Sequence, residues 1–123
     1  MRRDLAVNVE LRETPLAVVR LTGSVDSMTS DSVDQELDAV LDQGYDHLIV
    51  DLSELEFMST RGWSVLVSKI RRVRTRKGAI HLCCLAPEVE DVYKLLEFET
   101  LLPRHATLED ALSAVKAAAG ARE

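Results

Sequence analysis

Aromatic residues are scarce in this chain, at 4% of 123 residues, so leucine, valine and alanine must fill whatever core it builds. Cysteine is scarcer still: Cys83 and Cys84 are the only two, adjacent in sequence. Neighbours in a strand point to opposite faces, which places the two thiols poorly for bonding to each other. With no C-x-x-C spacing, neither a zinc site nor a redox pair is indicated. Two buried free thiols in a reducing cytoplasm are the expectation. No apolar run approaches the length of a membrane span, and Met1-Arg2-Arg3-Asp4 opens without the apolar stretch of a signal peptide. A soluble cytoplasmic protein is expected.

Catalytic signatures are absent as well. The glycines Gly23, Gly44, Gly62, Gly78 and Gly120 are too dispersed for a phosphate-binding loop. No G-x-S-x-G elbow anchors a hydrolase triad. His47, His81 and His105 lie far apart, each in or beside an expected strand, without metal-ligand spacing, and read as structural or surface residues. Asp46 and Asp51 flank a strand, where carboxylates are usually caps or solvated groups rather than a catalytic pair. The expectation is no enzyme, no cofactor and no metal, with a small-molecule ligand disfavoured because no sequence feature announces a pocket.

The formal net charge of -6 repels phosphate backbones and argues against a nucleic-acid partner. The run Arg71, Arg72, Arg74, Arg76, Lys77 departs from that acidity. It reads as the solvated end of a helix, where cations complement the dipole, or as a local docking patch.

What the chain does have is the makings of a core: 46% hydrophobic residues over a length that suits one domain. Residues 7–12 alternate weakly, and Leu16 to Thr22 is apolar and β-branched, so a hairpin around Thr14-Pro15 is expected, with Gly23 ending the second strand. Thr29 or Ser30 can cap a helix whose buried stripe is Val33, Leu37, Val40 and Leu41, stopped by Gly44. His47 to Leu52 reads as a central buried strand. A second helix begins near Thr60, with Trp63, Leu66, Val67, Ile70 and Val73 on one side, Arg61 and Val65 on the opposite side, and Gly78 closing it. Trp63 is placed in the core, in line with Leu66 and Ile70. A strand over Ala79 to Leu85 follows. A helix then opens at Pro87, with Val89, Val92, Tyr93 and Leu96 inward. Leu101-Leu102-Pro103 is a possible short strand, and Thr107 to Asp110 resembles a capping box before a last helix. Helices alternating with buried strands imply an α/β fold. One domain over residues 1–123 is expected, with its core at about 7–116 and a frayed tail at 117–123.

Six stretches in order resemble the STAS domain of the anti-sigma factor antagonist type. They are Leu21-Thr22-Gly23-Ser24-Val25-Asp26; Leu48-Ile49-Val50-Asp51-Leu52-Ser53; Leu55-Glu56-Phe57-Met58; Phe57-Met58-Ser59-Thr60-Arg61-Gly62; Leu85-Ala86-Pro87-Glu88-Val89; and Leu108-Glu109-Asp110-Ala111-Leu112. The resemblance implies a small mixed sheet with about four helices packed mainly on one side. It also implies partner switching. The unphosphorylated domain binds an anti-sigma factor or serine-threonine kinase, phosphorylation releases it, and a phosphatase restores binding. The family's D-S-x-G hydroxyl falls on Thr60, with Ser59 in place of the family's Asp and as an alternative acceptor. Asp26, Thr29, Ser59, Thr60, Arg61, Gly62 and Val65 are the implied partner contacts. A scaffold role without regulated phosphorylation, as in a stressosome or the STAS subunit of a lipid-transport ABC complex, is the alternative.

Overall fold

The computed structural model describes residues 4–120, with side chains to residue 118. The strands β1 (Ala6–Leu11), β2 (Leu16–Val25), β3 (His47–Met58), β4 (Ala79–Cys83) and β5 (Arg104–His105) lie in that order across one sheet. The β1–β2 pair is antiparallel and the others are parallel. The helices are α1 (Ser30–Asp42), α2 (Thr60–Thr75), α3 (Pro87–Leu95) and α4 (Leu108–Gly120), with a 3-10 turn at Phe98–Thr100. Parallel neighbours need crossovers, and α1, α2 and α3 supply them. The expected mixed α/β sheet is what the chain forms.

The period-2 alternation of β2, β3 and β4 divides the core in two. Ala17, Val19, Leu21, Leu48, Val50, Leu52, Ile80 and Leu82 meet the stripes of α1 and α2 and the buried Val89 and Tyr93 of α3. Leu16, Val18, Ile49 and Cys83 meet Ala111 and Val115 of α4 on the other face. Three helices thus share one face. Trp63 is 1% exposed, its ring 5.4 Å from that of Phe98 and 6.1 Å from that of Tyr93. Three of the five aromatics form this one cluster.

Several boundaries differ from expectation. Gly23 does not end β2. At φ 96 it sits between register shifts, and the strand continues to Val25, as a bulge built on a positive-φ glycine allows. β3 runs on to Met58 because its second half, polar at Ser53, Glu54 and Glu56, pairs with β2 alone. β4 stops at Cys83, since Cys84 takes φ 64. Leu96 follows α3 as its C-cap and is 39% exposed rather than inward. The short strand forms at Arg104–His105, not at Leu101-Leu102-Pro103. The Leu102 carbonyl accepts from Tyr93 Oη at 2.6 Å, so the ladder with β4 starts only at the Pro103 carbonyl. α4 continues to Gly120, and residues 121–123 of the expected tail lie outside the described residues. Thr107 does cap α4, its Oγ1 accepting from the Asp110 N–H at 3.1 Å. No described helix is long and apolar enough to cross a membrane.

Candidate functional site

The parallel ends of β2 and β3 define the site. Ser24 pairs with Phe57 and Val25 with Met58, so the β2–α1 loop and the start of α2 emerge side by side at one edge of the molecule. The Ser59 N–H donates to the Val25 carbonyl at 2.8 Å and locks the two segments together. Gly62 is required here by space. A Cβ at that position would lie 2.7 Å from Met58 Cγ and 2.8 Å from Val25 Cγ1.

Ser59 is the N-cap of α2. Its backbone is extended, at φ -72 and ψ 166, and its Oγ accepts from the Gly62 N–H at 3.2 Å. That bond satisfies one of the donors a helix start leaves open. Thr60 is the first helical residue and is exposed. The two hydroxyls therefore differ: Ser59 is half-buried and engaged, while Thr60 faces outward. Ser64, one turn on, is also exposed and donates to the Thr60 carbonyl at 3.1 Å.

The neighbouring loop is held by its own side chains. Asp26 Oδ1 accepts from the N–H groups of Met28 and Thr29 at 2.8 and 2.9 Å. Thr29 Oγ1 accepts from the Asp26 N–H at 2.9 Å and donates to the Ser24 carbonyl at 3.1 Å. Thr29 precedes α1 in the N-cap position without making a side-chain cap bond. Asp26 and Thr29 thus shape the loop. What the loop presents is Met28, 86% exposed beside them, which the sequence reading passed over. An apolar side chain inside a polar turn was its only signal.

Arg61 and Val65 do not both project away from the core. Arg61 reaches back to α1, its Nε 2.9 Å from Ser30 Oγ and its guanidinium 2.8 Å from Asp31. Val65 is half-buried against the main core. Of the seven expected contact residues, Asp26, Thr29, Ser59, Thr60, Arg61 and Gly62 converge on one edge, and Val65 lies along α2 from them.

The other polar residues of interest lie elsewhere. Asp51 is not half of a carboxylate pair. Its Oδ2 accepts from Arg20 Nε at 3.0 Å and its Oδ1 from the Ser53 N–H at 2.9 Å. Burial pushes its carboxyl up, but the bonds from Ser53 and Arg20 outweigh that and hold it below the usual range. Both cysteines are free, as expected, with Cys83 buried and Cys84 half-buried; with Cys84 at φ 64, both sulfurs and an Asp51 oxygen lie within 4.8 Å of one another. Burial first, then Cys84 and Asp51, pushes the Cys83 thiol strongly up. With a protonated thiol and Arg20 already on Asp51, the trio is ill-suited to a cation. Two of the distant histidines meet: His81 Nδ1 lies 2.8 Å from His105 Nε2. Burial, then His105 and His47, brings the His81 pKa down to about 4.

The fold has counterparts among known proteins. The STAS domain family description matches residues 7–111. The chain belongs to the STAS domain family. BtrV of Bordetella bronchiseptica, which carries the name of an anti-sigma factor antagonist, is 29% identical over 103 residues, 84% of this chain and 89% of its own. The crystal structure of an anti-sigma factor antagonist from Mycobacterium paratuberculosis superposes with TM-score 0.83 at 26% identity, covering 92% of this chain and 95% of that one. The anti-sigma factor antagonist SpoIIAA of Bacillus, in its unphosphorylated form, matches with TM-score 0.80 at 21% identity, covering 91% and 97%. SpoIIAA is matched in a phosphorylated form as well, at TM-score 0.70.

Proposed function

We propose that this STAS domain is a non-enzymatic, cytoplasmic partner-switching regulator. It binds an anti-sigma factor that is also a serine-threonine kinase, and phosphorylation of Thr60 releases it. A phosphatase resets the switch. The carrying observation is the division of labour at the start of α2: Ser59 supplies the cap, and Thr60 is left exposed at the edge formed with the Asp26–Thr29 loop. The names of the relatives support the partner class.

The chemistry suits the position. A phosphate adds about -1.5 to -2 charges. The helix N-terminus offers backbone N–H groups and a favourable dipole, so the modified chain keeps its fold. A partner seated on the same edge would have to desolvate that charge at a cost of several kcal/mol. A loss of about 3–4 kcal/mol weakens binding by a few hundredfold. Arg61 is near enough in sequence to answer a phosphate, but Asp31 competes for it. The absence of the family's Asp, replaced by Ser59, favours the second reading, a scaffold module whose edge docks without regulated phosphorylation.

Incubation with the kinase from the same organism and ATP, followed by intact-mass measurement, separates the two. Uptake of one phosphate, abolished in Thr60→Ala and retained in Ser59→Ala, is the expected result. A Thr60→Ala chain that takes up as much phosphate as the parent and binds its partner unchanged would sink the switch. A partner complex indifferent to ATP would establish the scaffold.

A further inference from the structure

The cations of α2 divide by flank. Lys69 binds Asp34 and Asp38, Arg72 binds Asp38 and Asp42, and Arg76 approaches Asp46 at 3.9 Å. All of these reach α1 or the segment that follows it. Arg71 and Arg74 are exposed and make no ion pair among the described residues. They line a groove of about 410 Å³ with Val67, Ile70, Thr75 and Leu101. A second concavity shares Ile70, Arg74 and Leu101 and extends the groove toward Pro103. Leu101 is 38% exposed. The result is two uncommitted guanidinium groups beside an apolar floor, on a domain whose net charge is -6.

We propose that this groove is a docking surface for an acidic, amphipathic segment of a protein partner. Its apolar side chains would rest on Val67, Ile70 and Leu101, and its carboxylates would pair with Arg71 and Arg74. The argument is charge complementarity. A guanidinium takes a carboxylate in a two-pronged, charge-assisted contact, and an apolar floor beside it supplies the area that ion pairs alone lack. The other anionic candidates fit less well. Duplex DNA binders make about 6–10 phosphate contacts, and lipid-binding basic clusters carry about 4–8 cations. Two arginines fall short of both.

Arg74 lies fourteen positions after Thr60 on α2, or about 21 Å at 1.5 Å per residue. The groove is therefore separate from the edge proposed for the switch and does not depend on that reading. A partner held here would stay at high local concentration when the Thr60 edge lets go.

Fluorescence anisotropy with the full chain tests the proposal. The probe is a labelled synthetic helical peptide of about 16 residues, with leucines at i, i+4 and i+7 flanked by glutamates. Its control is the same peptide with lysines for the glutamates. The expected result is saturable binding of the acidic peptide that weakens with salt. The Arg71→Glu/Arg74→Glu variant should weaken it by about tenfold or more. Thermal stability should fall only slightly, because both residues are exposed and Arg74 loses no more than its dipole contact in the last turn of α2, and Thr60→Asp should not affect peptide binding. Leu101→Ser, which keeps the charges, should also weaken binding. No saturable binding, equal binding of the lysine peptide, or indifference to the double variant would overturn the proposal. So would stronger Arg71- and Arg74-dependent association with phosphatidylglycerol vesicles or with the chain itself.

Discussion

At its N-terminal end α2 meets α1 through Arg61 and Asp31, whose side chains are 58% and 66% exposed. Two turns on, it meets the same helix through Lys69, whose side chain is 10% exposed between Asp34 and Asp38. Burial would lower the Lys69 ammonium pKa, but the hydrogen bonds it donates to the two aspartates outweigh it and raise the pKa overall. The first pair is screened by water and holds little. The second has lost much of its hydration and depends on its partners. On its α1 side the helix is sewn to the domain more firmly at Lys69 than at its start. The same contrast appears in the glycines. Beside Gly62 the obstacles to a Cβ are side chains. Beside Gly78 the obstacle is the Asp46 backbone carbonyl, at 2.0 Å.

That contrast can be broken at several points. Gly78→Ala must move a backbone segment and is expected to cost about 3 kcal/mol or more. Gly62→Ala asks Met58 and Val25 to give way, and part of that cost is returned as helix propensity. A net loss of about 1–2 kcal/mol is expected. Urea denaturation checks both, and a larger loss at Gly62 would reverse the ordering argued here. Next is Lys69→Ala, which should cost about 2 kcal/mol by leaving Asp34 without its cation and Asp38 with Arg72 alone. Arg61→Ala should cost less than about 0.5 kcal/mol; equal losses in thermal melts would mean that exposure does not separate the two ends. Ser59→Ala should lose about 1 kcal/mol with its cap, and Thr60→Ala should be close to neutral. If Thr60→Ala were the more costly of the two, the assignment of cap and free hydroxyl would be inverted.

Much of this was legible in the residues. The buried stripes of α1 and α2 follow from Val33, Leu37, Val40 and Leu41 and from Trp63, Leu66, Ile70 and Val73, because helical spacing is a local signal. The start of α2 at Thr60 was readable too, since a Ser-Thr pair before an apolar helix has few other uses. What escaped were outcomes of long-range pairing and of single backbone angles. Ser53 and Glu54 look like loop residues, and only the partner strand β2 makes them part of β3. The approach of Cys83 to Cys84 depends on one φ, and the contact of His81 with His105 on a two-residue strand. At the site, the sequence indicated which residues gather but not how they are engaged. That Arg61 is turned toward Asp31, and that Val65 packs inward, are decided by α1 and the core rather than by neighbours in the chain.

The central claim is that a phosphate on Thr60 abolishes binding while leaving the fold intact. The direct measurement is the affinity of the kinase-treated and untreated chain for the same anti-sigma factor, taken together with the melting temperature of each. A loss of about a hundredfold or more in affinity, with melting temperatures within about 2 °C, is the predicted result. Equal affinities for the two forms, or a phosphorylated chain that loses binding only because it has unfolded, would contradict it.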